Sequence, residues 1–161
     1  MIYVAVGGNL PSTYGSPMET CEAAVKQLEA AGLTVSAKSS WYETEPVPKS
    51  MQPSFINNVV QIETDLDSTA LLKLLLKIEK QMGRQRSFKN APRVIDLDMI
   101  AYNDEINGSD FLTLPHPRMQ DRAFVLYPLA EIAPDWHHPV LKKTAVELKD
   151  ALSDNYWIKK L

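Results

Sequence analysis

The sequence is short of several things, and each shortage narrows what the chain can be. It holds one cysteine in 161 residues, so a scaffold held by internal disulfides is excluded. That residue, Cys21, falls on the apolar side of a predicted helix, which reads as core and agrees with a reducing compartment. No apolar run reaches the roughly 18 residues a bilayer span requires. With a strand beginning at Ile2, no targeting leader is expected either, and the chain is read as cytoplasmic with no membrane partner. Basic excess is missing too: 17 Lys and Arg stand against 20 Asp and Glu, a formal net charge of -3, with an isoelectric point near 5.6. A broad positive face for nucleic acid is therefore not expected. No internal repeat or low-complexity segment occurs. At 45% hydrophobic and 23% charged, the composition is that of a folded globular protein, and the length fits one domain, 1–161.

The most informative stretch is 79–102, EKQMGRQRSFKNAPRVIDLDMIAY, where a cationic loop runs into a strand with two carboxylates. From 94 to 102, Ile95, Leu97, Met99 and Ala101 alternate with Asp96, Asp98, Ile100 and Tyr102, which is the period of a strand. Asp96 and Asp98 then point the same way, about 6.6 Å apart along the strand, and can converge on one or two hard cations that prefer oxygen. Carboxylates this close repel unless a cation or basic group compensates. Upstream lie Arg84, Arg86, Lys89 and Arg93, and a planar guanidinium suits phosphate because it donates two parallel hydrogen bonds. A DxD pair alone is most often a solvated face, as is a basic loop alone. Side by side they describe a metal-bound polyphosphate, since cations of the Mg²⁺ type bind carboxylates and nucleotide phosphates alike.

The remaining elements follow in order. Residues 2–6 read as a buried strand, and Gly7-Gly8-Asn9 as a tight turn that lacks the Lys and Ser/Thr of a P-loop. Ser16, Pro17 and Glu19 form a helix start, with Gly32 able to end that helix. Residues 33–43 alternate as one strand of about ten residues, and 44–53, with three prolines, must be a loop. The strand 55–62 puts Phe55, Asn57 and Val59 on one side and Ile56, Asn58 and Val60 on the other, so one asparagine must face inward. A buried amide needs partners, either neighbouring backbone or a heterocycle displaying donors and acceptors. Asp67 or Ser68 caps the next helix, which ends at Gly83; Glu79, on its last full turn, could orient an arginine, serve a metal or simply be solvated. A turn at 103–108 and a strand at 111–114 follow, and then Pro115 and Pro117 clamp His116 on a rigid loop ahead of Arg118 and Arg122, a candidate second anion patch. Residues 124–133 read as an apolar helix, His137 and His138 as a solvated turn, Thr144 with Glu147 as the cap of a last helix, and the tail from Tyr156 as surface packing. The order predicts an α+β fold: a ferredoxin-like βαββαβ core with an antiparallel sheet, helices largely on one face, an extra hairpin strand and C-terminal helices.

VGGNL near the start, residues 42–46, FINNVV, IEKQMGRQR, PRVIDLDMI and LPHPRMQDRAFVLYPLAEIAP together resemble the 6-hydroxymethyl-7,8-dihydropterin pyrophosphokinase family of folate biosynthesis. The resemblance implies transfer of the β,γ-diphosphate of ATP to the pterin hydroxymethyl group, with AMP leaving, and catalysis mainly by positioning and charge neutralisation. It implies that Asp96 and Asp98 hold two Mg²⁺ ions and act with Arg84 and Arg93, which grip phosphate, Arg86 adding to the grip. His116 and Arg122 would meet the α-phosphate side, and Glu79, Ile100 and Thr113 would complete the ATP site. Asn57 would read the polar edge of the pterin, Phe55 and Phe124 would stack on its faces, and Thr44, Pro46 and Val47 would wall it, with Asp96 adjoining. Substrates would be the small-molecule partners of a monomer. The chain departs from the family pattern at Gly8, where serine is common, at Phe88 and Asn90 in a basic loop about one residue shorter, and at Pro117, where some members have tyrosine. Two rival readings stand beside this one: a nucleotidyltransferase that attacks the α-phosphorus, and a non-catalytic ferredoxin-like module binding RNA or protein, which lacks aromatic platforms and the right charge.

Overall fold

The computed structural model describes residues 1–46, 49–84, 92–153 and 157–161. A five-strand path runs β5 (Asp96–Tyr102), β1 (Ile2–Gly8), β4 (Phe55–Glu63), β3 (Tyr42–Thr44), β8 (Ile158–Lys160), and β2 (Thr34–Lys38) also pairs with β4. The pairings are all antiparallel. Helices α1 (Pro17–Ala30) and α2 (Ser68–Gln81) cover one face, and α3 (Ala123–Ile132) and α4 (Ala145–Asp150) cover the other, so the expectation of helices largely on one face holds only for the first pair. A short hairpin, β6 (Asn107–Gly108) with β7 (Thr113–Leu114), stands apart from the main sheet. Among the described residues no helix is long and apolar enough to cross a membrane.

Local chemistry explains the boundaries. Ser16 accepts from Glu19 N–H while the Glu19 side chain accepts from Ser16 N–H, a reciprocal cap with Pro17 at the first helical position. Thr144 and Glu147 repeat that arrangement at α4, and Asp67 caps α2 through Ala70 N–H. Cys21 lies on the inner face of α1 and is buried in the core.

The expected single strand 33–43 is two strands that share one partner. Strand β2 pairs with 60–63 of β4 and β3 with 55–57. Between them Ser39 exchanges backbone for side chain: its N–H donates to Val59 O, and its hydroxyl accepts from Val59 N–H, both at 3.0 Å. An alternating pattern carries no sign of that exchange, because a side-chain hydroxyl can stand in for a carbonyl without disturbing the period.

The glycine pair forms no turn. Strand β1 continues through Gly7 and Gly8, which pair with Asn57 and Ile56. A side chain at Gly7 would lie 2.5 Å from Asn57 Oδ1, and one at Gly8 would lie 2.4 Å from the Val94 carbonyl oxygen. Glycine is required by close approach rather than by chain reversal. The tail, expected to pack on the surface, does so as β8, a strand paired with β3, and His138 is buried rather than solvated, with Nδ1 accepting from Val140 and Leu141 N–H and its ring edge-on to Trp136.

Both asparagines of β4 are buried, one on each face. Asn57 faces the α3 side, whereas Asn58, with no exposed surface, lies opposite Val6 in the apolar layer under α1 and α2. Neither polar atom of the Asn58 side chain has a hydrogen-bond partner among the described groups. An unpaired buried amide costs about 1–3 kcal/mol. Replacing Asn58 with Val should therefore raise the unfolding free energy obtained from urea titration by an amount in that range, and a lowered value would mean that the amide is satisfied.

Candidate active site

Strand β5 delivers both carboxylates to one place. Asp96 lies opposite Gly7 and Asp98 opposite Ala5, both on the α3 side, while Leu97 and Met99 enter the apolar layer under α1 and α2. They line a cleft of about 150 Å³. The alternation ends at a bulge: Tyr3 pairs with Ala101 but Val4 with Met99, leaving Ile100 as the extra residue. Its carbonyl accepts from His116 N–H at 2.9 Å.

The two aspartates differ in their surroundings. Asp96 is held by Arg84 and by Arg93 Nη1, the latter at 2.8 Å. Burial alone would raise its carboxyl, but the two guanidinium groups outweigh burial and hold it below the usual carboxylate range. Asp98 has no hydrogen bond or ion pair within contact distance among the described residues. Burial, then the charges of Asp96 and Glu79, push its carboxyl up to about 8, with Arg122 and Arg84 offsetting only part. Glu79 sits behind the strand, 3% exposed. Its Oε2 accepts from Leu97 N–H and from Arg84, each at 2.7 Å. Of the three readings its position allowed, orienting an arginine is what the geometry displays. Burial lowers the Arg84 guanidinium, but Asp96 and Glu79 more than compensate and raise it overall.

Opposite the carboxylates, Asn57 Nδ2 donates to Thr44 Oγ1 at 2.9 Å. That bond aims the rest of the amide across the bare backbone of Gly7. Phe55, Phe124 and Pro46 add apolar wall, and Arg122 stands 5.3 Å from the Phe124 ring centre. A junction that the sequence did not announce joins segments that line the cleft. Asn9 Nδ2 donates to Gln52 Oε1 (3.0 Å) and to Pro53 O (3.2 Å), while Asn9 Oδ1 accepts from Arg93 N–H at 2.9 Å. One buried amide thereby ties the end of β1 to the proline-containing loop and to the segment before β5. Ser50 and Gln52 also line the cleft; the only hint in the sequence was the proline content of their loop.

Not every expected residue joins the group. Thr113 is exposed on β7 and donates to Ser109 O, so the side chain turns to its own hairpin. Ile100 is buried under α3 and offers only its carbonyl. Arg86, Lys89, Val47, Phe88 and Asn90 lie outside the described residues.

For a metal, the donor set is two carboxylates; among the described residues no third His, Cys, Asp or Glu completes a protein-only cage. That set fits Mg²⁺, which is commonly bound through one or two carboxylates with substrate phosphates and waters filling the shell. An unpartnered carboxyl at Asp98, beside an open cleft with arginines at its edge, is what such a cation would complete.

Two carboxylates, convergent guanidinium groups and an apolar slot with an amide at its end form a single cleft on an antiparallel sheet covered by helices, with the chemistry to hold a metal-bound polyphosphate beside a flat polar ring. The pattern of the 7,8-dihydro-6-hydroxymethylpterin-pyrophosphokinase (HPPK) family matches residues 3–134, and the chain belongs to that family. It is 42% identical over 146 residues to a 2-amino-4-hydroxy-6-hydroxymethyldihydropteridine pyrophosphokinase of Synechocystis, covering 90% of this chain and 72% of the relative. A protein of the same name from Haemophilus influenzae is 37% identical over 158 residues, 98% and 96% of the two chains. The folic acid synthesis protein FOL1 of Dictyostelium discoideum is 39% identical, but this chain spans only 22% of it. Among solved structures, an HPPK-DHPS in complex with substrates superposes with a TM-score of 0.71 at 14% identity, over 93% of this chain and 44% of that one. That likeness speaks for the fold.

His116 gives a test of the site's electrostatics. Burial, with Arg122 and Arg118 nearby and Asp96 only partly opposing them, pushes its imidazole down to about 4, against about 6.5 unperturbed. A histidine lowered on folding contributes stability that is present above the unfolded value and is lost as pH falls through the folded one. The His116 ring should titrate by NMR with a midpoint near 4, and the destabilisation caused by His116→Asn should shrink between pH 7 and pH 4.5. A midpoint near 6.5 would refute this.

Proposed function

We propose that the cleft moves the β,γ-diphosphate of ATP as one unit onto 6-hydroxymethyl-7,8-dihydropterin. The pterin hydroxyl oxygen attacks the β-phosphorus, the bond from that phosphorus to the oxygen bridging it to the α-phosphorus breaks, and AMP leaves with that oxygen. The observation that carries this reading is the placement of Asp96 and Asp98 on one face of β5, with guanidinium groups on one side and the Asn57–Thr44 pair on the other.

The residues divide the work by their chemistry. Asn57, fixed by Thr44, presents its carbonyl and remaining N–H to the amide-like edge of the heterocycle, and Phe55 and Phe124 cover the ring faces. Arg84 and Arg93 supply forked donors to phosphate oxygens; in the free protein both are held on Asp96, so they stand ready with little ordering still to be done. His116 stays neutral, and because its Nδ1 accepts from Arg118 N–H, Nε2 carries the proton and is a donor toward the nucleotide. Arg122 faces the charge left on AMP. Two Mg²⁺ ions held by Asp96 and Asp98 would neutralise the phosphates and bring them together with the attacking hydroxyl. A cytoplasmic monomer is the setting this reading implies.

Product analysis tests the proposal. Incubation with ATP, Mg²⁺ and the pterin should yield AMP and the pterin diphosphate in equal amounts; ADP or free pyrophosphate as the nucleotide-derived product would refute it. Asp98→Asn should lower turnover by more than about 10²-fold with the fold retained by circular dichroism. A variant that turned over normally would remove Asp98 from the metal site.

A further inference from the structure

The family pattern ends at residue 134, yet the last strand of the chain lies against the wall of the cleft. Strand β3 is three residues long, and Thr44, at its end, holds the Asn57 amide in place. One edge of β3 is covered by β4 and the other by β8, with Tyr42, Glu43 and Thr44 opposite Lys160, Lys159 and Ile158. The contact is fastened beyond the ladder at both ends. Leu161 N–H donates to Trp41 O at 2.9 Å. At the other end Trp157 N–H donates to Glu45 Oε1 at 2.8 Å, and Glu45 lines the cleft next to Thr44. Glu131 of α3 takes part from behind, accepting from Tyr42 Oη at 2.6 Å with Lys160 Nζ 3.8 Å away.

A three-residue strand paired on one side only, leading into a proline-containing loop, frays readily. Fraying here would displace Thr44, release the Asn57 amide and shift Glu45. The nucleotide side, by contrast, is anchored on β5 at the opposite edge of the sheet. We infer that β8 is a positioning element for the pterin half of the cleft: by pairing with β3 it holds Thr44, and through it Asn57, in the geometry that reads the heterocycle, while the ATP half is independent of it. This rests on the pterin reading above. The residue that carries the effect is identifiable. Because Leu161 N–H bonds Trp41 O, alternation along an antiparallel pair makes Lys159 opposite Glu43 the next mutually bonded pair. The N–H of Lys159 is then directed at β3, and its side chain is exposed.

Lys159→Pro in the full chain removes that donor, and Lys159→Ala keeps it. The proline variant should raise the KM for the pterin about 5- to 20-fold, leave kcat at saturating pterin within 2-fold, and leave binding of a non-hydrolysable ATP analogue with Mg²⁺ unchanged by calorimetry; the alanine variant should match the parent. Where the proline variant fails to fold, Leu161→Pro against Leu161→Ala makes the same comparison away from the cleft, because only alanine retains the N–H that is donated to Trp41 O. An unchanged pterin KM in Lys159→Pro, or pterin and nucleotide binding weakened together, would overturn the inference. A parent chain that bound the nucleotide but not the pterin would overturn the pterin reading itself, and this inference with it.

Discussion

One carboxylate taken out of water and neutralised by two guanidinium groups fixes the chemical half of this molecule. Asp96 receives Arg84 from the end of α2 and Arg93 from the segment before β5, so both flanks of the basic stretch converge on one side chain. Glu79 completes the arrangement from the helix, holding Arg84 and at the same time the backbone N–H of Leu97, between the two aspartates. Such a network contributes little net stability compared with an apolar replacement, but losing any one member leaves an uncompensated buried charge. Its value lies in geometry: helix, strand and loop flanks are brought into one register before a substrate arrives.

The substrate half is built by subtraction. Gly7 offers no side chain, so the Asn57 amide can lie on the backbone of β1, and Gly8 lets the carbonyl of Val94 approach closely. Asn9 then uses its amide to gather two loops. Three consecutive residues thus act by what they omit or by what they bridge. On the proposed function, a buried amide with one donor committed to Thr44 and lining the cleft would discriminate by hydrogen bonding, a stronger filter than apolar fit, since a wrong ligand would leave its other groups unpaired.

How much of this could be read in advance depended on whether the governing interaction was local. The shared orientation of Asp96 and Asp98 follows from strand period, and the helix caps follow from spacings of three residues, so both were legible. The pairing of Asn57 with an inward face was legible only as a choice between two asparagines; in the structure both are buried, on opposite faces, because helices cover both sides of the sheet. The division of β2 from β3 depends on a hydroxyl of Ser39 meeting β4, and the Asn9–Gln52 contact joins residues far apart in the chain. Neither leaves a periodic trace. The same is true of β8, whose partner lies more than a hundred residues earlier, and of Gly7 and Gly8, where the demand comes from neighbouring atoms rather than from the local backbone. Thr113 is a different case: the resemblance assigned it to the nucleotide, and in the free chain its hydroxyl donates within its own hairpin to Ser109 O.

The bulge at Ile100 links two parts of the site that sequence keeps apart. The extra residue frees a carbonyl from the ladder, and that carbonyl carries the backbone of His116. The imidazole and the carboxylate of Asp98 are therefore set by the same strand, two residues apart along it. They form a single rigid jig: a slip of β5 against β1 by one position would not merely misplace the acidic pair but would drag the histidine with it. A change of chain length between 96 and 101 consequently disturbs both groups at once.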